Sequence, residues 1–585
     1  LVVIELCYSM FLARKAIRSQ TSKKNSLIKQ QFTYLSSKRN IAGVIRSDFP
    51  DIDIPNTTIP EYIFENFLTY PNKIAVECSL TEKKFTFDEV LCKSRNLSGA
   101  LRQKLKLNPG DVVAVLLPNM PDYPICVFGS LMASLKVTTI NPIYTPTEIS
   151  VQLEDTNVKA LFTLMEHVPK AQASMKLTHR RVPIIGIKMR EADTVAEGAI
   201  DMREFVNTKT DIQDFPSADS NDTALLFYSS GTTGLPKGVE LTHRNIISNV
   251  MQSSDPRVRM FQEATAERQD VVPVIVPIFH IFGFSSVLLV HLHKMCKMVT
   301  MPKFDAHPFV ELLARHQPHI LMLVPTIVNF MAKEPLVKKE YLESVRFVLA
   351  GGGPLTASDL ENLSHKVANN VAVNQGYGLT ETSPAVFMPS IRTRKLGTRG
   401  SVGELLSNTS VMLRKADNSD IIITSPNEPG ELFVKGPQVM KGYYNRPEEN
   451  KGAFLNGWFK TGDLAYYDEN KLFFVTERLK ELIKVKGYQV SPAELEGLLR
   501  EHPDVLEAAV LGVPHERYGE APTAYVIPRP NRNINIDNIH MYIAERAANY
   551  KHLVGGIQIT DNIPKTASGK ILRKELRKKY MEEIS

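Results

Sequence analysis

An apolar run at residues 224–227 passes without a break into Tyr228-Ser229-Ser230-Gly231-Thr232-Thr233-Gly234-Leu235-Pro236-Lys237-Gly238. That junction constrains the chain more than any other feature, because a strand-like run must deliver a loop of glycines, hydroxyls and one lysine to a single place. Glycines let backbone N–H groups approach an anion, the hydroxyls beside them add donors, and Lys237 supplies a mobile positive charge; together they predict a phosphate cradle. The spacing is not G-x-x-x-x-G-K-[ST], since Lys237 follows Pro236 and precedes Gly238, which disfavours a kinase or motor of the P-loop type. A polar surface hairpin is the plainer reading of one such loop, so the rest of the chain must decide.

Short apolar runs at 111–117, 158–163, 272–276, 298–301, 319–324 and 345–350 alternate with helical patterns such as 122–135. Runs of this kind are expected of mostly parallel strands buried on both faces, so the rhythm predicts an α/β fold. With 585 residues, 43% of them hydrophobic and 23% charged, the chain can build two or more cores. The net charge of +7 is concentrated: residues 1–46 hold nine Lys/Arg against the single acid Glu5, or +8, which leaves −1 on the rest. A body so balanced has no basic stripe, and nucleic acid is not an expected partner. Five cysteines with no C-x-x-C pair read as reduced and not metal-binding.

Residues 1–46 join a short apolar run to a segment rich in Arg, Lys, Ser and Thr, a composition that predicts a mitochondrial transit peptide. A basic tail with peripheral membrane contact is the alternative, as are cytoplasmic or peroxisomal locations, although Met581-Glu582-Glu583-Ile584-Ser585 is no peroxisomal tripeptide. The apolar run, about 13 residues, is shorter than the roughly 20 that span a bilayer.

Four further constellations follow. Gln375-Gly376-Tyr377-Gly378-Leu379-Thr380-Glu381 ends a glycine-punctuated turn in a hydroxyl and a carboxylate; the pair can hold Mg²⁺ against phosphate oxygens, and a ring beside glycines can stack on a base. In Gly457-Trp458-Phe459-Lys460-Thr461-Gly462-Asp463, one carboxylate follows a tight turn and can accept both hydroxyls of a ribose. Residues 477–494 repeat cations at 478, 480, 484 and 486 before Ser491, Pro492 and Glu494 predict a capping box and a helix start. Lys565-Thr566-Ala567-Ser568-Gly569-Lys570 is a second loop with a lysine beside glycine. Each alone reads as a turn or a solvated face.

In this order and spacing the five segments resemble the AMP-forming adenylating enzymes, over roughly residues 55 to 578. Within that superfamily the chain is most similar to the branch of coumarate–CoA ligases and luciferases, through Pro277-Ile278-Phe279-His280-Ile281-Phe282, Gly430-Glu431-Leu432, Gly442-Tyr443-Tyr444 and the Lys-Gly-Tyr-Gln loop. The resemblance implies an α/β fold: a large N-terminal domain, 47–476, of two αβ-layered subdomains plus a β-barrel, a hinge at 477–480, and a small mobile α+β C-terminal lid domain at 481–585 after the basic 1–46 segment.

The same resemblance implies ATP, Mg²⁺ and coenzyme A, with a small carboxylic acid as the fourth participant. It assigns Ser229, Ser230, Gly231, Thr232, Thr233 and Lys237 to the ATP phosphates. Gln375, Gly376 and Tyr377 fall at the adenine and α-phosphate side, Thr380 and Glu381 near phosphate with Glu381 on the metal, and Asp463 and Arg478 on the ribose. Lys570 implies a cation bridging the acyl carboxylate and α-phosphate, and lid rotation then presents Lys484, Lys486 and Gly487 to the thiol step. Lys303 matches a position that contacts coenzyme A. His280, catalytic in this reading, shares the acid pocket with Phe282, Ser286 and Gly353, and with Ser383, Pro384 and Met388. Lys480, Lys484 and Gln489 close on the acyl-adenylate.

The chain departs from the pattern at Glu477, where the branch has aspartate, and at Phe282, where plant coumarate ligases typically carry tyrosine. A pocket without that phenol predicts a medium- or long-chain fatty acid as substrate of an AMP-forming acid–CoA ligase, with an aryl acid such as coumarate as the alternative. A luciferase-like monooxygenase is disfavoured by Phe279-His280-Ile281, and a non-catalytic adenylate binder by the presence of Lys237, Glu381, Asp463, Lys484 and Lys570 together.

Overall fold

The computed structural model of the chain describes residues 43–583 apart from 209–217, 230–235, 259–260, 354, 356, 368–370, 372, 397–399, 417–419, 486–487, 516 and 567–568; at 357–359, 394–396 and 488–489 it describes the backbone alone. The transit-peptide expectation on 1–46 therefore falls almost wholly outside the described residues. Ile45–Ser585 forms one compact unit. No described helix is long and apolar enough to cross a membrane.

Val112–Leu116 is buried at every position, as a strand covered on both faces must be. It lies within an eight-stranded sheet of order Gly442–Tyr443, Lys237–Thr242, Thr223–Ser229, Lys136–Thr139, Val112–Leu116, Ala160–Leu164, Ile184–Ile187, Ala199–Asp201. From Thr223–Ser229 onward all pairs are parallel, whereas Thr223–Ser229 and Lys237–Thr242 are antiparallel with Ser229 opposite Lys237. The phosphate-cradle segment thus connects two antiparallel strands. The expected helix at 122–135 is Tyr123–Met132; it stops early because Ser134 turns to φ 58° and the strand Lys136–Thr139 begins two residues on.

A second αβ layer pairs Val271–Val274, Lys297–Thr300 and Ile74–Cys78 in parallel, beside a parallel set of Ile320–Leu323, Phe347–Ala350 and Val373–Gln375. His319 joins the two sets: its N–H donates to the Val271 carbonyl and its Nδ1 accepts the Val271 N–H, both at 3.0 Å. The strands Ser410–Arg414, Gly430–Lys435, Trp458–Tyr467 and Phe473–Arg478 form the antiparallel sheet that answers to the expected barrel. The last of these strands hands over to the C-terminal domain. There Ile483–Val485, Gly519–Pro528 and Val505–His515 are antiparallel, and helices Pro492–Glu501, Ile536–Ala544 and Arg573–Glu583 pack around them with a core of their own.

Threonines open the N-terminal-domain helices Phe87–Gln103, Pro146–Asp155 and His243–Ser253 with reciprocal capping boxes. The box expected at Ser491 is only half formed. Ser491 Oγ accepts from Glu494 N at 3.2 Å, but the Glu494 carboxylate is drawn off to Lys551 Nζ at 2.6 Å. Glu477 takes its place: Oε2 accepts from Ser491 Oγ at 2.7 Å and from Ala493 N at 2.9 Å. The extra methylene relative to aspartate lets a carboxylate on the last barrel strand reach the first lid helix.

Phe282–Leu289 is an eight-residue π-helix, an arrangement usually confined to single turns near functional sites. Its entry is tight, because a methyl group on Gly283 would stand 2.1 Å from the Pro277 carbonyl oxygen. Gly283→Ala should therefore lower stability by about 1–3 kcal/mol through overpacking. Gly452→Ala, in helix Pro447–Ala453 with nothing within 4 Å, should be neutral or stabilising by up to about 1 kcal/mol. Paired chemical denaturation curves check this, and equal midpoints for the two variants would refute the packing account.

Candidate active site

A cavity of about 1230 Å³ opens where the strand ends of both αβ layers meet the barrel and the lid. One end is apolar and the other carries charges, and each is held by identifiable interactions.

The segment 277–282 that borders the apolar end is clamped by Asn119. Its Nδ2 donates to the carbonyls of Val274 at 2.9 Å and Val276 at 3.1 Å, and its Oδ1 accepts from Ile278 N at 2.8 Å. Thr139 Oγ1 holds the next carbonyl, that of Phe279, at 2.8 Å. His280 therefore lines the cavity in a fixed place, with Nδ1 toward Phe282 N at 3.4 Å. Burial pushes its pKa down to about 4, so the ring is neutral near pH 7, and with Nδ1 accepting, the proton sits on Nε2. Phe282, Ser286, Gly353, Pro384 and Met388 also line the cavity, as expected. Gly351 packs against the Phe282 ring, where a methyl would lie 3.5 Å from Cζ, and Gly352, at φ 84°, continues the glycine run along the cavity.

The charged end centres on Asp463, which is 3% exposed. Oδ2 accepts from the Tyr377 hydroxyl at 2.5 Å, Oδ1 faces Arg478 Nε at 3.2 Å, and the backbone N–H donates to Thr461 Oγ1 at 3.0 Å. Burial raises the Asp463 pKa and Arg478 opposes it. Register places the pair, since Asp463 and Arg478 face each other on adjacent antiparallel strands. Tyr377, expected at the adenine, thus spends its hydroxyl on Asp463, and Gln375 spends its amide on the Leu355 carbonyl at 2.9 Å. Gly376 and Thr380 line the cavity between them.

Beside these, Lys237 Nζ stands 5.3 Å from the centroid of the Tyr443 ring, whose hydroxyl donates to Glu381 Oε1 at 3.0 Å. Lys480 is held below its ordinary pKa by burial and then by Lys237, so two cations share this corner. Ser229 Oγ is buried there with no hydrogen-bond partner among the described residues. The described residues contain no group of three or more His, Cys, Asp or Glu able to hold a metal. Glu381 as a lone carboxylate suits Mg²⁺, which keeps several waters and binds through one or two carboxylates plus phosphate oxygens.

From the lid, Lys570 enters on a turn closed by Thr566 N to the Lys570 carbonyl at 2.8 Å and by Lys570 N to Thr566 Oγ1 at 3.1 Å. Gly569, at φ 82°, seats this turn on the N-terminal domain, where a methyl would meet Thr326 Cγ2 at 3.1 Å.

Several expected residues are elsewhere. Ser383, at φ 71° in the turn before Ala385–Met388, directs its hydroxyl to the Gln438 carbonyl at 2.8 Å and is fully buried away from the cavity. Lys303 is exposed and does not line the cavity. Lys484 is exposed on the lid strand Ile483–Val485, its N–H donating to Glu520 Oε2 at 2.8 Å, so this lid orientation presents Lys570 and not Lys484. Ser230, Gly231, Thr232, Thr233, Lys486 and Gly487 lie outside the described residues, as does the Gln489 side chain.

Sequence reading missed Asn119, Thr139, Tyr443 and a relay in which Tyr228 Oη donates to Asp155 Oδ2 at 2.5 Å and Arg446 Nη2 to Asp155 Oδ1 at 2.6 Å. Tyr228 and Tyr443 sit in motifs that gave them no role, and the others are single polar residues whose partners are distant in sequence.

Comparison with known proteins matches the same regions. The AMP-binding enzyme family model covers residues 63–444 and the AMP-binding enzyme C-terminal domain covers 494–570. The chain is 34% identical over 555 residues to 4-coumarate–CoA ligase 1 of Arabidopsis thaliana, spanning 93% of this chain and 96% of that one. It is 34% identical to probable 4-coumarate–CoA ligase 1 of Dictyostelium discoideum, over 91% and 97% of the two chains. Among solved structures, ATP-bound MatB from Rhodopseudomonas palustris superposes with a TM-score of 0.80 at 26% identity, over 91% of this chain and all 100% of that one. The o-succinylbenzoate CoA synthetase of Bacillus subtilis with its acyl-adenylate gives 0.73 at 28%, over 90% and 99%. A family model that covers most of the chain, and relatives that match nearly its full length, place this protein in the AMP-binding enzyme family.

Proposed function

We propose that this chain is an ATP-dependent, AMP-forming acid–CoA ligase whose acid is an aryl or arylalkenoic carboxylate of the 4-coumarate kind. One observation carries the reading: a single cavity joins an apolar end, lined by Phe282, Ser286, Met388 and the glycines 351–353, to a corner holding Lys237, Glu381, Asp463 and Lys570. The relatives named 4-coumarate–CoA ligases support an aryl acid as the occupant of the apolar end. An alkyl acid is the second reading, favoured by the missing hydroxyl at Phe282. Ser286, which lines the cavity beside Phe282, supplies a hydroxyl that a substrate phenol can use.

In the first step a carboxylate oxygen attacks the α-phosphorus of ATP, and the bond to the β-phosphate breaks to release pyrophosphate. Lys237 and Lys480 bind the departing phosphates, Asp463 and Arg478 hold the ribose, and Lys570 offsets charge between the carboxylate and the α-phosphate. Mg²⁺, when bound at Glu381, neutralises phosphate charge. Neutral His280 donates from Nε2 without adding a positive charge of its own. In the second step the thiol of coenzyme A attacks the carbonyl carbon, forming the thioester as AMP leaves and the thiol proton is lost.

AMP and pyrophosphate should therefore appear with the thioester, read by mass spectrometry and a pyrophosphate assay. ADP as the direct product would overturn the assignment. Lys570→Ala should slow adenylate formation ~100- to 1,000-fold, the usual loss for one preorganised electrostatic donor. Thioester formation from supplied acyl-adenylate should change little; comparable loss of both steps in a folded variant argues against a role for Lys570 in the first step alone.

Substrate class is tested by kcat/KM for 4-coumarate against octanoate, with coumarate expected to be the better substrate. Ser286→Ala should cost coumarate roughly two- to tenfold, the worth of one hydrogen bond, and leave cinnamate, which lacks the phenol, nearly unchanged. A preference for octanoate would establish the alkyl reading instead.

A further inference from the structure

Arg573, three residues beyond Lys570, is half-buried in the lid between two carboxylates, and one of them also faces Lys570. Its Nη1 donates to Glu481 Oε2 at 2.8 Å, its Nη2 to Glu496 Oε1 at 2.6 Å, and its Nε to the Val510 carbonyl at 2.9 Å. Glu496 is 1% exposed and fixed in turn by Val510 N, which donates to its Oε1 at 2.8 Å. Arg573 therefore has an anchor that does not depend on Glu481. The other oxygen of Glu481, Oε1, lies 3.9 Å from Lys570 Nζ. One carboxylate is thus shared unequally, in hydrogen-bonding contact with the guanidinium and at the limit of an ion pair with the ammonium.

We propose that Glu481 and Arg573 are a positioning pair for Lys570. The carboxylate steers the ammonium toward the cavity, and the guanidinium, by occupying the carboxylate, keeps it from closing into a lysine salt bridge that would withdraw the cation from its substrates. This rests on Lys570 serving adenylate formation, as argued above. A lysine paired tightly with a carboxylate has its charge already compensated, whereas one held at a distance can give that charge to a developing phosphate.

The charged groups facing Lys570 are Arg478 from the last barrel strand, Glu481 from the connection after it, Asp463 from the neighbouring strand, and Arg573 from its own segment. Burial first, and then Arg478, hold its pKa below the ordinary lysine range; Glu481 and Asp463 oppose this and Arg573 adds to it. Opposite signs follow for the pair. Removing the Glu481 charge must lower the Lys570 pKa further, and removing Arg573 must raise it, by losing a cation and by releasing Glu481 toward the ammonium.

The Lys570 side chain is 28% exposed, so reagent can reach it. Competitive acetylation by trace acetic anhydride across the alkaline range, quantified on the Lys570 peptide by mass spectrometry, reads its titration in the full chain without any acid substrate. Glu481→Gln should move the midpoint down and Arg573→Gln up, each by about one unit for a charge at this range. Arg573→Lys, which keeps the cation, should return it toward the wild-type value. Midpoints that do not move, or that move together, overturn the proposal. If Arg573→Gln does not fold, Glu481→Gln decides alone, and an unchanged or raised midpoint overturns it. Pyrophosphate release with 4-coumarate should fall tenfold or more in Glu481→Gln with little change in KM for ATP. Opposed titration shifts in a protein that adenylates no acid would sink the ligase reading while leaving the pairing intact.

Discussion

Three amide side chains on one face of helix His243–Ser253 hold the two halves of the active site in register. Asn245 Nδ2 donates to the carbonyls of Pro437 at 2.8 Å and Val439 at 2.9 Å. Asn249 exchanges a pair of bonds with the Ala385 backbone, at 2.8 and 3.0 Å, and Gln252 Nε2 reaches the Ser407 carbonyl at 2.6 Å. The spacing of four and three residues puts all three amides on the same stripe. Each is buried, so an orphaned partner would cost about 1–3 kcal/mol, and a small slip between the helix and the strands it grips is penalised several times over. The helix directly continues the strand that carries Lys237, while the segments it grips carry Glu381 and Tyr443. The distance between Lys237 and Glu381 is therefore set by amide geometry and not by the charges themselves.

That division of labour recurs around the cavity. Neutral donors and acceptors, such as Asn119, Thr139 and the Thr461 hydroxyl, fix backbone position, and charged groups are then placed by the backbone they ride on. Asp463 and Arg478 meet because their strands pair in register, and neither relies on salt-bridge attraction that desolvation would largely cancel. A site arranged in this way keeps its charges close together, partly uncompensated and out of bulk water, where their fields act strongly on any charged group that enters the cavity.

Much of the architecture was legible because buried parallel strands leave continuous apolar runs, and 112–116, 160–164 and 347–350 emerge close to where those runs lie. The motifs were legible because glycine, hydroxyl and charge in fixed order are rare. What sequence could not convey was direction. Ser383 stands one residue from the cavity-lining Pro384, yet its left-handed φ turns the hydroxyl inward. Tyr377 was read for its ring, and nothing in the sequence announced that its hydroxyl is spent on Asp463. The π-helix Phe282–Leu289 has no apolar period that distinguishes it from any buried helix, and the three amides, like Asp155 and Arg446, find partners over a hundred residues away.

Glu477 adds a consequence of a different kind. It belongs to the last barrel strand, yet it completes the N-terminus of the lid helix Pro492–Glu501 by accepting the Ala493 amide. A lid that left this orientation would uncover that amide while the rest of the helix stayed folded. The Ala493 N–H is accordingly a single-atom gauge of lid position, whose deuterium uptake counts the time the two domains spend apart.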